Sequence, residues 1–182
     1  MTTAPIERKY DLIFDRLDTD GNGVLEYADC ERMAKDVIRA GCMTEGSAKA
    51  DALFTAYQEA WERLASAADA DGDGVITREE FKSAMSDTLG RREQVVEGCR
   101  AVLDAEFSAI DGDDDGLVPT ADFQGYLEAL GSSAEEAQAT CDSLDTNGDG
   151  QISREEFHEG WLQYLLSDDL TEAGSHFLGS LT

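Results

Sequence analysis

Apolar residues recur at helical spacing in matched segments along this chain. Tyr10, Ile13, Phe14 and Leu17 follow an i, i+3, i+4, i+7 rhythm, with Pro5 well placed near a helix start. Leu103, Phe107 and Ile110 repeat it, and Trp61 and Leu64 lead on to Ala65 and Ala68. A thinner stripe, Ala137, Cys141 and Leu144, is opened by a capping box at Ser133 and Glu136. Each stripe stops at a polar, glycine-containing stretch and a second one begins. Phe81 with Met85, Phe123 with Leu127, and Phe157 with Trp161 lie one turn apart in these second segments; Cys30 stands where the first would have phenylalanine. Gly41, Gly90 and Gly131 fall where these segments should end. The pattern predicts an all-α protein built from four helix–loop–helix units.

The intervening stretches are alike. Asp18 to Gly23, Asp69 to Gly74, Asp111 to Gly116 and Asp145 to Gly150 all read D-x-[DN]-x-[DN]-G, and each has a carboxylate at its twelfth position. Side-chain oxygens at positions 1, 3 and 5, a glycine that allows the sharp turn at 6, a backbone carbonyl at 7 and an acid at 12 are what a hard divalent cation needs. Loop one offers Asp18, Asp20, Asn22, the Val24 carbonyl, Glu26 (often acting through water at its position) and Asp29. Loop two offers Asp69, Asp71, Asp73, the Val75 carbonyl and Glu80. Loop three offers Asp111, Asp113, Asp115, the Leu117 carbonyl and Asp122; loop four offers Asp145, Asn147, Asp149, the Gln151 carbonyl and Glu156. Up to four Ca2+ ions are expected.

Position 12 divides the sites. Glutamate coordinates through both oxygens and completes the seven-fold geometry calcium accepts, whereas aspartate is one methylene shorter. Sites two and four are therefore expected to be calcium-selective. Sites one and three, closed by Asp29 and Asp122, are expected to be weaker or to accept Mg2+. Site three is the expected weak one, because Pro119 has no oxygen to offer at position 9 and Asp114 replaces the position-4 glycine.

The second residue after each loop glycine is Leu25, Ile76, Val118 or Ile152, and such side chains suit a short antiparallel bridge between neighbouring loops. Two pairs are expected, over residues 1–90 and 91–182. The loop starts lie 51, 42 and 34 residues apart, which places extra length and a bend near Gly41 to Gly46. Leu170, Phe177, Leu178 and Leu181 suggest that the tail, 167–182, docks on the core.

Charge sharpens the picture. The formal net charge is −26, from 40 acidic against 14 basic residues, which argues against nucleic acid and anionic lipid as partners. Fifteen of the acids stand at ligand positions, so the metal-free protein should be strained by repulsion. Cys30, Cys42, Cys99 and Cys141 form no C-x-x-C pair and His158 and His176 are far apart, so zinc and a disulfide framework are not expected. No apolar stretch reaches membrane-spanning length, and Met1 to Pro5 carries no signal pattern, so a cytoplasmic location is expected; a monomer is the default expectation.

The loops are identified as those of the EF-hand superfamily. Four hands, the long first spacing and the apolar tail resemble the sarcoplasmic calcium-binding proteins and their bacterial, calerythrin-like branch. That resemblance implies two pairs packed as one compact globule and a calcium buffer or transporter. Members commonly have at least one degenerate loop, often the second, and this chain departs from them in that loop two is among its best formed. The alternative is a sensor acting on a protein target, but Met33, Met43 and Met85 are few for an adaptable methionine-rich groove. No G-x-S-x-G, P-loop or H-E-x-x-H motif suggests an enzyme. His158, Trp161 and Tyr164 fall at i, i+3, i+6; photoproteins of this fold place His, Trp and Tyr around a luciferin, though such spacing more simply reflects helix packing.

Overall fold

A computed structural model describes residues 4–41, 43–88 and 92–166. Eight helices alternate with four very short strands: α1 Ala4–Leu17, β1 Val24–Leu25, α2 Tyr27–Ala40, α3 Ala48–Ala68, β2 Ile76–Thr77, α4 Arg78–Thr88, α5 Arg92–Ile110, β3 Leu117–Pro119, α6 Thr120–Ala129, α7 Ala134–Leu144, β4 Gln151–Ser153 and α8 Arg154–Leu166. The expected stripes become the core. Tyr10, Ile13 and Phe14 of α1, Leu103 and Phe107 of α5, and Ala137, Cys141 and Leu144 of α7 are all buried in one apolar cluster. Ser133 caps α7 as expected, its hydroxyl accepting from the Glu136 amide at 3.2 Å while Glu136 accepts from the Ser133 amide at 2.9 Å.

β1 and β2 pair antiparallel with Leu25 opposite Ile76, and β3 and β4 pair with Val118 opposite Ile152. All four of these side chains are buried, so each strand pair anchors two loops to the core at once. Phe14 meets Phe81 edge-on at 5.7 Å; in the other pair Phe157 touches both Phe107 (5.7 Å) and Phe123 (5.9 Å). The first pair lacks the third ring because Cys30 occupies its place.

The two pairs share α3 and α5, which run antiparallel. Lys49, Tyr57 and Arg63 along α3 reach Asp111, Glu106 and Gly98 in turn. Gly41, just past α2, sits so close to α5 that a Cβ would meet the Ala109 carbonyl oxygen at 2.6 Å; the stop there serves close approach as well as termination. Gly131 ends α6 at φ 101°, with the Ser132 amide closing back on the Leu127 carbonyl at 3.0 Å. Gly90, Cys42, the side chain of Tyr164 and the tail lie outside the described residues.

Tyr57 donates to the half-buried Glu106, beside the buried Tyr126 and near Cys99. Burial pushes the Glu106 carboxyl up to about 7, against the hydrogen bond from Tyr57. The unfolded chain releases this proton near 4.5 and the folded chain near 7, so the folded state holds more protons in between and loses stability as pH rises through that window. Urea midpoints measured across the window should fall for the wild type and change less for Glu106→Gln, which keeps the acceptor for Tyr57 without the charge.

Candidate metal sites

The four loops share one hydrogen-bond scaffold. The amide at position 6 donates to the Oδ2 of the position-1 aspartate: Gly23 to Asp18 at 2.8 Å, Gly74 to Asp69 at 3.1 Å, Gly116 to Asp111 at 3.0 Å and Gly150 to Asp145 at 2.9 Å. The amide at position 7 donates to the side-chain oxygen at position 5: Val24 to Asn22, Val75 to Asp73, Leu117 to Asp115 and Gln151 to Asp149, all within 2.9–3.0 Å. Each glycine at position 6 has φ between 81° and 89°, where an L side chain is strained.

This turn gathers the acids. Oxygens of Asp18, Asp20 and Asp29, of Asp69, Asp71 and Asp73, and of Asp111, Asp113 and Asp115 lie within 4.8 Å of one another in their three loops. Loop four arrays Asp145, Asn147 and Asp149 on the same scaffold. Such clustered, like-charged oxygens, aligned mostly by backbone amides of the turn itself, fit a hard cation. Asp111 strengthens the fit: its side chain is fully buried, yet its Oδ1 has no hydrogen-bond partner.

Position 12 behaves alike in three loops. Its carboxylate receives the amides of positions 2 and 9: Asp29 from Thr19 (3.0 Å) and Glu26 (2.9 Å), Glu80 from Ala70 (3.1 Å) and Thr77 (2.9 Å), and Glu156 from Thr146 (3.2 Å) and Ser153 (2.9 Å). Hydrogen bonds from Thr77 hold Glu80 below its ordinary range. Burial works to raise Asp29 and Glu156, but the donors around each outweigh it and both sit low. Loop three differs. Pro119 has no N–H for position 12, and Asp122 is exposed, takes no hydrogen bond among the described residues and stands outside the Asp111 group. Pro119 lacks not only a side-chain oxygen but also the amide that would hold position 12.

Several cations were not foreseen. Arg78 lies over the Phe14 ring (4.3 Å) and binds the Asp11 carbonyl and Asp15, while Arg154 lies over Phe107 (4.7 Å) and binds the Asp104 carbonyl and Ser108. Both occupy position 10 of their loops, so each even hand clamps the helix entering its odd partner. The repeated R-E-E-F at Arg78 and Arg154 was a visible signal for this. Arg154 also comes within 4.0 Å of Asp111 Oδ2. Lys49 donates to the Asp111 carbonyl at 2.9 Å and pairs with Asp114 at 2.7 Å; Asp114, in the place of the position-4 glycine, adopts the left-handed conformation at φ 61°. His158 faces Asp104 at 3.3 Å, and burial lowers its imidazole against the pull of that acid.

The model of the EF-hand domain pair matches residues 7–86 and again 100–162. The chain belongs to the EF-hand family. It is 32% identical to calerythrin of Saccharopolyspora erythraea over 177 residues, covering 91% of this chain and 99% of that protein. A Streptomyces coelicolor calcium-binding protein superposes with TM-score 0.79 at 32% identity, over 88% of this chain and 97% of its own. The sarcoplasmic calcium-binding protein of amphioxus shares the fold at TM-score 0.77 and 19% identity, over 99% of both chains. This EF-hand chain thus matches calcium-binding relatives over most of its length.

Replacing Pro119 with threonine returns an amide at position 9. Calcium affinity followed at the Gly116 amide by NMR should tighten, and the Gly74 amide should titrate as before.

Proposed function

We propose that this chain is an intracellular calcium buffer or transporter that binds up to four Ca2+ through the loop residues named above. The observation that carries the reading is the common scaffold of the four loops joined to a single closed core. Among the described residues only Tyr27 and Leu117 are large exposed hydrophobics, which supports a protein that stores ions over one presenting an apolar groove. No described helix is long and apolar enough to cross a membrane, in keeping with a protein that acts away from the bilayer interior. The reading places it in the cytoplasm as a monomer and assigns it no catalysis. Calerythrin, matched almost end to end, supports the family's calcium role here.

Sites two and four, closed by Glu80 and Glu156, are the calcium-selective pair in this reading. Asp29 and Asp122 make sites one and three the mixed Ca2+/Mg2+ sites, and the exposure of Asp122 favours site three as the weakest. A second reading, a sensor with a protein target, is favoured by the Streptomyces coelicolor protein, which is tied to prokaryotic calcium-mediated regulation.

Two measurements separate these readings. Hydrophobic dye fluorescence, read with circular dichroism, should fall on adding calcium to the apo protein; a rise with unchanged helicity favours the sensor. Calorimetric calcium titrations in excess magnesium should show competition at two sites, and Asp29→Glu should remove it at one. Four equal sites indifferent to magnesium would overturn the division.

A further inference from the structure

We infer that Arg32 is a resident counter-ion of loop one that competes with the incoming metal and so sets that site's affinity. The inference rests on reading loop one as a calcium site. Arg32 lies on α2, three residues beyond Asp29. Its Nη2 donates to Asp20 Oδ2 and to Asp29 Oδ1, both at 2.8 Å, and its Nε donates to Thr19 Oγ1 at 2.7 Å. The guanidinium therefore bridges loop positions 3 and 12. These are two of the oxygen-bearing positions that a cation in this loop would draw together.

Asp29 is already saturated on this side. Its Oδ1 accepts from the Thr19 amide (3.0 Å), the Thr19 hydroxyl (2.8 Å) and Arg32, while its Oδ2 accepts from the Glu26 amide. The Asp29 side chain is only 3% exposed, whereas that of Arg32 is 37% exposed. The acid is thus fixed by the fold, and the arginine is the partner free to swing away into water. A divalent ion and a guanidinium cannot both take the same lone pairs, so an ion that draws on Asp20 Oδ2 or Asp29 Oδ1 competes with the arginine's fork for them.

The arrangement is peculiar to loop one. Residues at the matching distance from the other loop starts are Ser83, Gly125 and Glu159, none of them a cation. Aspartate at position 12 contributes as well, since the shorter side chain sits deep in the loop and its Oδ1 is within reach of a residue one turn further along α2. With Arg32 in place the repulsion among Asp18, Asp20, Glu26 and Asp29 is partly relieved before any metal arrives. The same contact thus stabilises the apo loop and weakens its hold on calcium, two effects of opposite sign from one side chain.

Titrating the full chain with calcium while following the amides of Gly23, Gly74 and Gly150 by NMR reads three loops separately. Arg32→Gln should tighten the Gly23 midpoint roughly fivefold, the scale of a part-exposed ion pair, and lower the melting temperature of the apo protein. The Gly74 and Gly150 midpoints should not move. Arg32→Lys keeps the charge without the planar fork and should fall between; it carries the comparison if the glutamine variant does not fold without calcium. An equal or weaker Gly23 midpoint in the variants overturns the competition. A Gly23 amide that never responds to calcium, in wild type and variants alike, overturns the metal reading of loop one itself.

Discussion

Each loop turns on the carboxylate of its first residue. The aspartate terminates the entering helix and takes the position-6 amide, as Asp18 does from Gly23 and Asp145 from Gly150. Closing that ring forces the glycine to positive φ and swings the following residues into an extended strand. The buried member of the strand, Leu25, Ile76, Val118 or Ile152, then enters the core opposite its partner. Ligand geometry and core packing are consequently not independent. Drawing the acids of one loop inward pulls on the strand that it shares with its neighbour, so the two loops of a pair are joined mechanically through two or three residues.

The pairs are joined in turn by α3 and α5, and the coupling there is polar as well as apolar. Lys49 belongs to the first half, yet it holds the Asp111 carbonyl and Asp114 of loop three. A non-glycine residue in the left-handed region carries a conformational cost, and the ion pair helps to offset it. Loop three thus takes part of its shape from a helix that lies before loop two in sequence. Its unpartnered Asp111 Oδ1 sits beside this joint, which places the most unusual loop where the two halves meet.

Much of this was legible in the residues. Helical stripes, loop boundaries and the Ser133 cap are local features, set by spacing within a dozen positions, and they emerged as read; the strand partners, Leu25 with Ile76 and Val118 with Ile152, are distant but follow from the repetition of the loops. Arg32, Lys49, Arg78, Arg154 and the Tyr57–Glu106 contact were not read, for one physical reason. Arg78 and Lys49 reach partners 67 and 62 positions away, and Arg32, besides Asp29 one turn back, reaches Asp20 and Thr19 12 and 13 positions back across the loop; nothing in the immediate sequence names these distant partners. Even the two arginines of the repeated R-E-E-F gain meaning only when the strand pair sets each against the helix of the other hand. Pro119 shows the converse. Its lost donor could be read from the chain, but its consequence for Asp122 depended on knowing that position 12 is held by the amide of position 9.

These contacts also give the odd and even loops different electrostatics. Among the described residues, Arg32 touches ligand-position acids of loop one, and Lys49 and Arg154 stand against loop three, whereas the acids of loops two and four pair with no cation. In a chain of net charge −26, the loops closed by aspartate are those the protein partly neutralises itself. Among the described residues, the acids of the loops closed by glutamate have only the donors of their own loops around them. The length of one side chain at position 12 and the placing of three cations therefore act in the same direction. Both set the two members of each pair apart, one with an aspartate at position 12 and a cation of the protein beside its loop, the other with a glutamate and none among the described residues.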